Sequence, residues 1–238
     1  MIPLTSLQFW ADEVYRSPSE EMALDEALFD EAVSTETALL RCYHWDRPAV
    51  TLGYFSPWEI EDQPGRTVRR WTGGGRVEHG EDLTFALAIP RTETFANQAS
   101  ALRYSQIHDC LKKALSTIAI HTVLEPDTAH EPRPPGGPAP CFASPVSSDL
   151  MSSEGAKIAG GAQRRVAGAI LHQGSVRLPL SHRLPSADWL KTFRQELASE
   201  NRTIPSETKT RMLCQIEAKR ASRYDQSEWN RRRESKWA

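Results

Sequence analysis

From Leu83 to Ile89 the chain alternates large apolar residues (Leu83, Phe85, Leu87, Ile89) with small ones (Thr84, Ala86, Ala88), and Pro90 ends the run. A period of two is the repeat of a β-strand, and proline cannot donate to a ladder, so the segment reads as a strand stopped at Pro90. Helices must pack with it. Ser17-Pro18-Ser19-Glu20 supplies an N-cap serine, a proline at the first helical position and a glutamate at the third. Leu24, Ala27, Leu28 and Ala32 follow at helical spacing, which predicts an amphipathic helix over 18–33. Tyr104, Ile107, Leu111, Leu115 and Ile118 form one stripe, which predicts a second long helix over about 98–118. Thr37–Trp45, Ala49–Gly53 and Thr67–Arg70 read as further strands, the first two parted by the turn Asp46-Arg47-Pro48. Strands and helices mix without regular βαβ alternation. That favours an α+β layout over a doubly wound sheet.

Residues 125–140 hold Pro126, Pro132, Pro134, Pro135, Pro138 and Pro140 together with Gly136 and Gly137. Such a run neither feeds a ladder nor propagates a helix, so it predicts a long loop, with Cys141 at its C-terminal edge. Val146–Ser152, Lys157–Arg164 and Gly168–Leu178 read as strands, the first two joined by a hairpin-like turn at Ser153-Glu154-Gly155-Ala156. From Ser181 onward polar helix formers dominate, with Met212, Leu213 and Ile216 on one face. This tail is expected to be helical, and its Arg231-Arg232-Arg233 to be a solvated end.

Composition and motifs exclude several classes. With 29 Lys+Arg against 31 Asp+Glu the chain lacks the basic excess of a general nucleic-acid binder. No apolar run has the length of a membrane helix, and the first residues lack the pattern of a signal peptide. Cys42, Cys110, Cys141 and Cys214 lie far apart without CxxC pairing, so a cytoplasmic location with reduced thiols is expected. Gly75 and Gly80 have P-loop spacing, but Glu81-Asp82 stand where lysine and a hydroxyl must contact phosphate and magnesium. Gln173-Gly174-Ser175-Val176-Arg177 lacks the second glycine of a nucleophile elbow. The seven histidines include no HExxH pair, so no metal site is expected.

Three segments carry chemistry. In Val68–His79 the glycines Gly73, Gly74 and Gly75 let backbone N–H groups approach a ligand, and Arg69, Arg70 and Arg76 add positive charge. In Pro140-Cys141-Phe142-Ala143-Ser144-Pro145 a cysteine follows the proline-rich loop, the place for an exposed nucleophile. In Gly155–Arg165, Lys157 is flanked by small residues and is placed to clamp a carboxyl or thioester oxygen.

In this order the segments resemble the lipoate-protein ligase and octanoyltransferase family, whose fold is related to biotin protein ligases. Met22–Leu28, Leu40–Trp45, Thr51–Phe55, the Arg-Arg-x-x-Gly-Gly-Gly-x-Val-x-His run at 69–79, Lys157–Arg164 and Leu171–Ser175 carry the likeness, over about residues 17–180. Ser56, Glu78, Gly80 and the order His172-Gln173 depart from the family pattern. The resemblance implies an α+β catalytic domain over 1–180, a mixed β-sheet flanked by helices, with 181–238 a helical extension of the same domain. It also implies an acyl-ligand site containing Arg70, Gly73, Gly74, Gly75, Val77, His79, Gly160, Ala162 and His172, with Leu83, Phe85 and Ile158 lining a channel for an eight-carbon chain.

Two chemistries are open within the family. A transferase takes an octanoyl group from the thioester of acyl carrier protein, holds it on a cysteine and delivers it to a lysine of a lipoyl domain, with no cofactor. A ligase instead activates lipoate with ATP and magnesium. The Cys-Phe-x-x-Pro context of Cys141 resembles the transferase branch, and the stretch after Leu180 reads as helices where bacterial ligases carry an extra domain. The resemblance therefore assigns Cys141 as nucleophile and Lys157 as its electrostatic partner, with His79 or His172 assisting. Acceptors implied are a 2-oxoacid dehydrogenase subunit or the glycine cleavage H protein; nucleic acid and membrane are not implied. The departures at Ser56 and Gly80 leave a third reading, a relative that binds lipoyl or acyl groups without turnover.

Overall fold

The computed structural model describes residues 3–45, 47–126, 146–178 and 188–232. In chain order its elements are β1 (Leu4–Asp12), α1 (Pro18–Thr35), β2 (Leu39–Tyr43), β3 (Ala49–Leu52), β4 (Thr67–Arg69), β5 (Arg76–His79), β6 (Asp82–Ile89), α2 (Ser100–Ser116), β7 (Val123–Leu124), β8 (Leu150–Met151), β9 (Lys157–Val166), β10 (Ala169–Arg177), α3 (Trp189–Leu197), β11 (Ala198–Thr203), α4 (Ser206–Leu213), α5 (Ile216–Lys219) and α6 (Ser227–Asn230). Eight strands form one mixed sheet in the order β11-β1-β2-β6-β10-β9-β8-β7, and β4-β3-β5 form a second, smaller one. The α+β expectation holds.

β6 organises the large sheet as its alternation requires. Leu83, Phe85, Leu87 and Ile89 join the core shared with Ile107 and Leu111 of α2 and Trp189 and Phe193 of α3. Ala86 and Ala88 face the opposite side, where they meet Leu24, Ala27 and Leu28 of α1. Small residues on that face let the helix approach the sheet closely. Because β6 lies between β2 and β10 and is covered on both faces, all eight of its residues are buried. α1 starts as its capping sequence predicts: the Ser17 amide donates to Glu20 Oε2 at 2.8 Å.

Four features differ from the sequence expectation. Most of α1 is buried, including Glu21 and Asp25, so it is more than a one-faced amphipathic helix. Those carboxylates gather with Asp12 around the fully buried Arg41 guanidinium, at 2.8 Å for Asp12 and 3.0 Å for Asp25, with Glu21 as the third partner. β1 pairs in parallel with β2 on one side and, on the other, with β11, a polar edge strand inside the otherwise helical tail. Between 146 and 152 only Leu150–Met151 is strand, because the chain turns at Ser148 with φ +68°. The basic end is not simply solvated: Arg231 lies 5.2 Å from the Trp58 ring and Arg232 4.1 Å from the Tyr54 ring. Arg233 lies outside the described residues. No described helix is long and apolar enough to cross a membrane.

The tail also braces the small sheet. Buried Arg69 donates to the carbonyls of Gly53 (2.8 Å) and Ser56 (2.6 Å) and to that of Asn230 in α6 (2.8 Å). One guanidinium thus ties the turn after β3 to the last described helix.

Candidate active site

A narrow, partly open cavity lies between the two sheets. Gly160 and Ala162 of β9, Gln173 and Ser175 of β10, and Thr84 of β6 contribute from the large sheet. Thr51 of β3, Val77 and His79 of β5, and Arg70 contribute from the small sheet; Met22, Trp45 and Lys157 complete the walls. Apolar walls with a few convergent polar groups are the usual make-up of a small-molecule site.

Asp82 anchors one polar cluster. It accepts from Ser175 Oγ (2.6 Å), His79 Nδ1 (2.8 Å), Thr84 Oγ1 (3.0 Å) and the Gly80 amide (3.1 Å). Burial raises this carboxyl's pKa, but the His79 ring and these hydrogen bonds outweigh it and hold the group well below the usual carboxylate range. The Trp45 indole donates to Thr84 Oγ1 (2.8 Å) and stacks on His79 at 4.3 Å between centroids. His79 Nε2 meets Thr51 Oγ1 at 2.8 Å, and that hydroxyl accepts from Arg70 at 3.1 Å. Both nitrogens of His79 are therefore engaged. Gly80 leaves no carboxylate directly after His79; Asp82 supplies one instead.

Arg70 explains the glycine triplet. Its guanidinium donates to the carbonyls of Gly73 (2.7 Å) and Gly75 (2.9 Å), while Ser56 Oγ donates to that of Gly74 (3.1 Å). The loop is a frame held by its carbonyls, and Gly73, Gly74 and Gly75 are not among the residues lining the cavity. Gly53 is obligatory here, since a Cβ on it would lie 2.6 Å from the Gly74 carbonyl carbon and closer still to the oxygen.

Lys157 Nζ pairs with Asp149 Oδ2 at 2.7 Å, both side chains buried. Tyr104 Oη donates to Asp149 Oδ1 (2.6 Å) and accepts from the Gly161 amide (2.8 Å). A third network fixes Gln173, which donates to Asp25 (2.7 Å) and accepts from Thr72 Oγ1 (2.7 Å). Burial pushes the Asp25 and Glu21 carboxyls up, Glu21 to about 7, against the pull of Arg41.

Of the residues proposed from sequence, Lys157, Arg70, Val77, His79, Gly160 and Ala162 meet at this cavity. Cys141 lies outside the described residues. His172 does not reach the cavity. On β10 it alternates with Gln173, so its ring packs on the far side against Phe85, Tyr104 and His108 at 5.5, 5.6 and 5.7 Å. Burial, then His108 and Arg103, push its pKa well below that of ordinary histidine, so it stays neutral there. The same alternation removes Leu83 and Phe85 from the channel, and Ile158 packs against the far-side core. Asp82, Thr84, Gln173, Ser175, Asp149 and Tyr104 were missed. Strand period alone places Gln173 and Ser175 together on one face of β10, opposite His172. The Asp149–Lys157 pair had no local signal.

Residues 17–218 match the family model of the lipoyl protein ligase A/B catalytic domain. The chain is 34% identical over 168 residues to octanoyltransferase LipM of Oceanobacillus iheyensis, covering 67% of this chain and 60% of that protein. It thus spans about three fifths of that relative. Among solved structures, lipoate-protein ligase A bound with ATP superposes with a TM-score of 0.69 at 20% identity, covering 95% of this chain and 98% of that one. A bipartite lipoate protein ligase, from a Thermoplasma acidophilum study that includes its E2 lipoyl domain, superposes at 0.61 and 17% identity over 95% and 96%. These structures share the fold.

Proposed function

The chain belongs to the lipoyl protein ligase A/B catalytic-domain family, and from that premise we propose that it transfers an octanoyl or lipoyl group to a lysine of a lipoyl domain. The observation that carries the reading is a buried lysine ammonium in the wall of an apolar-lined slot. An ammonium has three donors, so holding Asp149 is compatible with also polarising an acyl carbonyl.

In the proposed route Cys141 is the nucleophile. The chain on either side of residues 127–145 is pinned beside the lysine's partner: the Glu125 amide donates to the Asp149 carbonyl (2.8 Å), and the Val146 amide donates to Asp149 Oδ2 (2.7 Å). Cys141 is five residues from Val146, a reach of at most ~18 Å. A thiol of pKa ~8.5 is a few per cent thiolate at neutral pH, and a nearby ammonium increases that share. The thiolate attacks the thioester carbonyl, with Lys157 facing the developing oxyanion, and the carrier thiolate leaves and takes a proton from solvent. A neutral acceptor lysine then attacks the acyl-enzyme. Its C–N bond forms as the bond to Cys141 Sγ breaks, and the amine proton ends on the released thiolate. Burial of ~0.8 kcal/mol per methylene against Val77, Met22, Trp45 and Ala162 gives chain-length preference.

We read acyl carrier protein as donor, a 2-oxoacid dehydrogenase subunit or the glycine cleavage H protein as acceptor, no cofactor, and residues 181–238 as part of the same domain. The test compares octanoylation of an apo lipoyl domain by octanoyl-carrier thioester alone with that by octanoate plus ATP and magnesium. Modification from the thioester without nucleotide supports the proposal. Modification only with ATP replaces it with ligation, and retention of acyl groups without modification replaces it with a binding module.

A further inference from the structure

We propose that Asp149, buttressed by Tyr104, is a positioning residue that fixes the Lys157 ammonium at the cavity wall. The inference rests on the reading of Lys157 as the carbonyl-polarising group. Lysine ends in four rotatable bonds and is poorly placed by itself. Here its nitrogen is 2.7 Å from a carboxylate with no solvent exposure.

That carboxylate is itself over-determined. Tyr104 Oη holds one oxygen at 2.6 Å and the Val146 amide holds the other at 2.7 Å. The Asp149 backbone is fixed by its carbonyl to the Glu125 amide and by its amide to the Val146 carbonyl. Tyr104 is fixed in turn, since its oxygen accepts from Gly161 in β9 and its ring packs at 4.1 Å on His108, whose Nδ1 meets the Ser148 carbonyl at 2.6 Å. The strand beneath makes room for the pair. A Cβ at Gly160 would lie 2.6 Å from Lys157 Nζ, nearer still to Cε, and 2.9 Å from Asp149 Oδ1. A glycine at this place, a tyrosine on α2 and an aspartate before β8 thus converge on one nitrogen atom.

The test uses the full chain and octanoyl transfer. Asp149→Asn keeps the shape and removes the charge. It is expected to lower kcat by roughly 10–100-fold, the cost of displacing a reacting-centre group by about 1 Å, with KM for the acyl donor little changed. In a Lys157→Ala background the same change is expected to cost nothing further, because it acts through the lysine. Tyr104→Phe deletes the hydrogen bond to the Asp149 carboxylate and leaves the Gly161 amide without its acceptor, and is expected to lower kcat roughly 10-fold. Gly160→Ala shifts the ammonium without altering any charge and is expected to lower kcat as well. If Asp149→Asn does not fold, the latter two variants decide. Equal kcat in the folded variants, or losses that multiply with Lys157→Ala, overturns the positioning role. A wild-type chain that transfers no acyl group refutes the underlying function instead, and Lys157→Ala with full activity refutes its premise.

Discussion

Replacing Gly53 by alanine tests whether the glycine triplet is a frame or a ligand cradle. The added methyl would stand 2.6 Å from the Gly74 carbonyl carbon and 2.8 Å from the Gly73 oxygen. Non-bonded carbon contacts settle at about 3.5–4.0 Å, so the loop must retreat by roughly 1 Å or more. Arg70 bonds Gly73 and Gly75 at 2.7 and 2.9 Å. A retreat of that size takes both beyond hydrogen-bond length, and each is a charged bond worth about 1.5–3 kcal/mol. Part relaxes, leaving a loss of about 3–5 kcal/mol, comparable with the whole stability of a marginal domain. Gly73→Ala is the matched control: a Cβ there meets nothing within 4 Å, so a change within about 0.5 kcal/mol is expected. Urea unfolding followed by circular dichroism reads both. A Gly53→Ala chain within 1 kcal/mol of wild type would refute the frame, and so would a Gly73→Ala change as large as that at Gly53.

Lys157→Ala should lower octanoyl transfer by about 10²–10³-fold. It should also destabilise the fold, by up to about 3–5 kcal/mol, because it strands a buried carboxylate that keeps, among the described residues, Tyr104 and Val146 as donors; unchanged urea midpoints would contradict this. Glu21 has its pKa raised by burial from 4.5 to about 7. Between those values the folded state keeps a proton that the unfolded state has lost, so its contribution makes stability fall as pH rises through that window. Glu21→Gln should flatten that slope in urea melts at pH 5 and pH 7. Phe193→Ala, which removes a fully buried ring set 5.5 Å from Phe85, should cost about 3–5 kcal/mol by the same melts.

How much of this could be read from the chain depended on whether the signal was local. β6 and the stripe of α2 are local periodicities, and both elements form within a few residues of the expected bounds. β1 and β11 are edge-side strands that stabilise one another across nearly the whole chain, and β11 is too exposed to alternate. At the site, Arg70, Val77 and His79 sit close together in sequence and were legible. Asp149 and Tyr104 reach Lys157 only through the pairing of β8 with β9 and the packing of α2, which no spacing rule encodes. His172 was misplaced by one residue of strand period. The small residues after Lys157 were legible as a pattern, but their reason, the room Gly160 leaves for the ion pair, needed coordinates.

The central claim is covalent transfer through Cys141, and intact-mass measurement tests it most directly. The chain is incubated with octanoyl-carrier thioester, without nucleotide or acceptor, then digested to locate any adduct. A single octanoyl group on Cys141 is predicted, released on addition of apo lipoyl domain and missing in Cys141→Ser. Cys42 and Cys110 should stay unmodified, since burial pushes both thiols up, Cys110 to about 12. Thioester-dependent octanoylation of the acceptor by Cys141→Ser at the wild-type rate would contradict the claim.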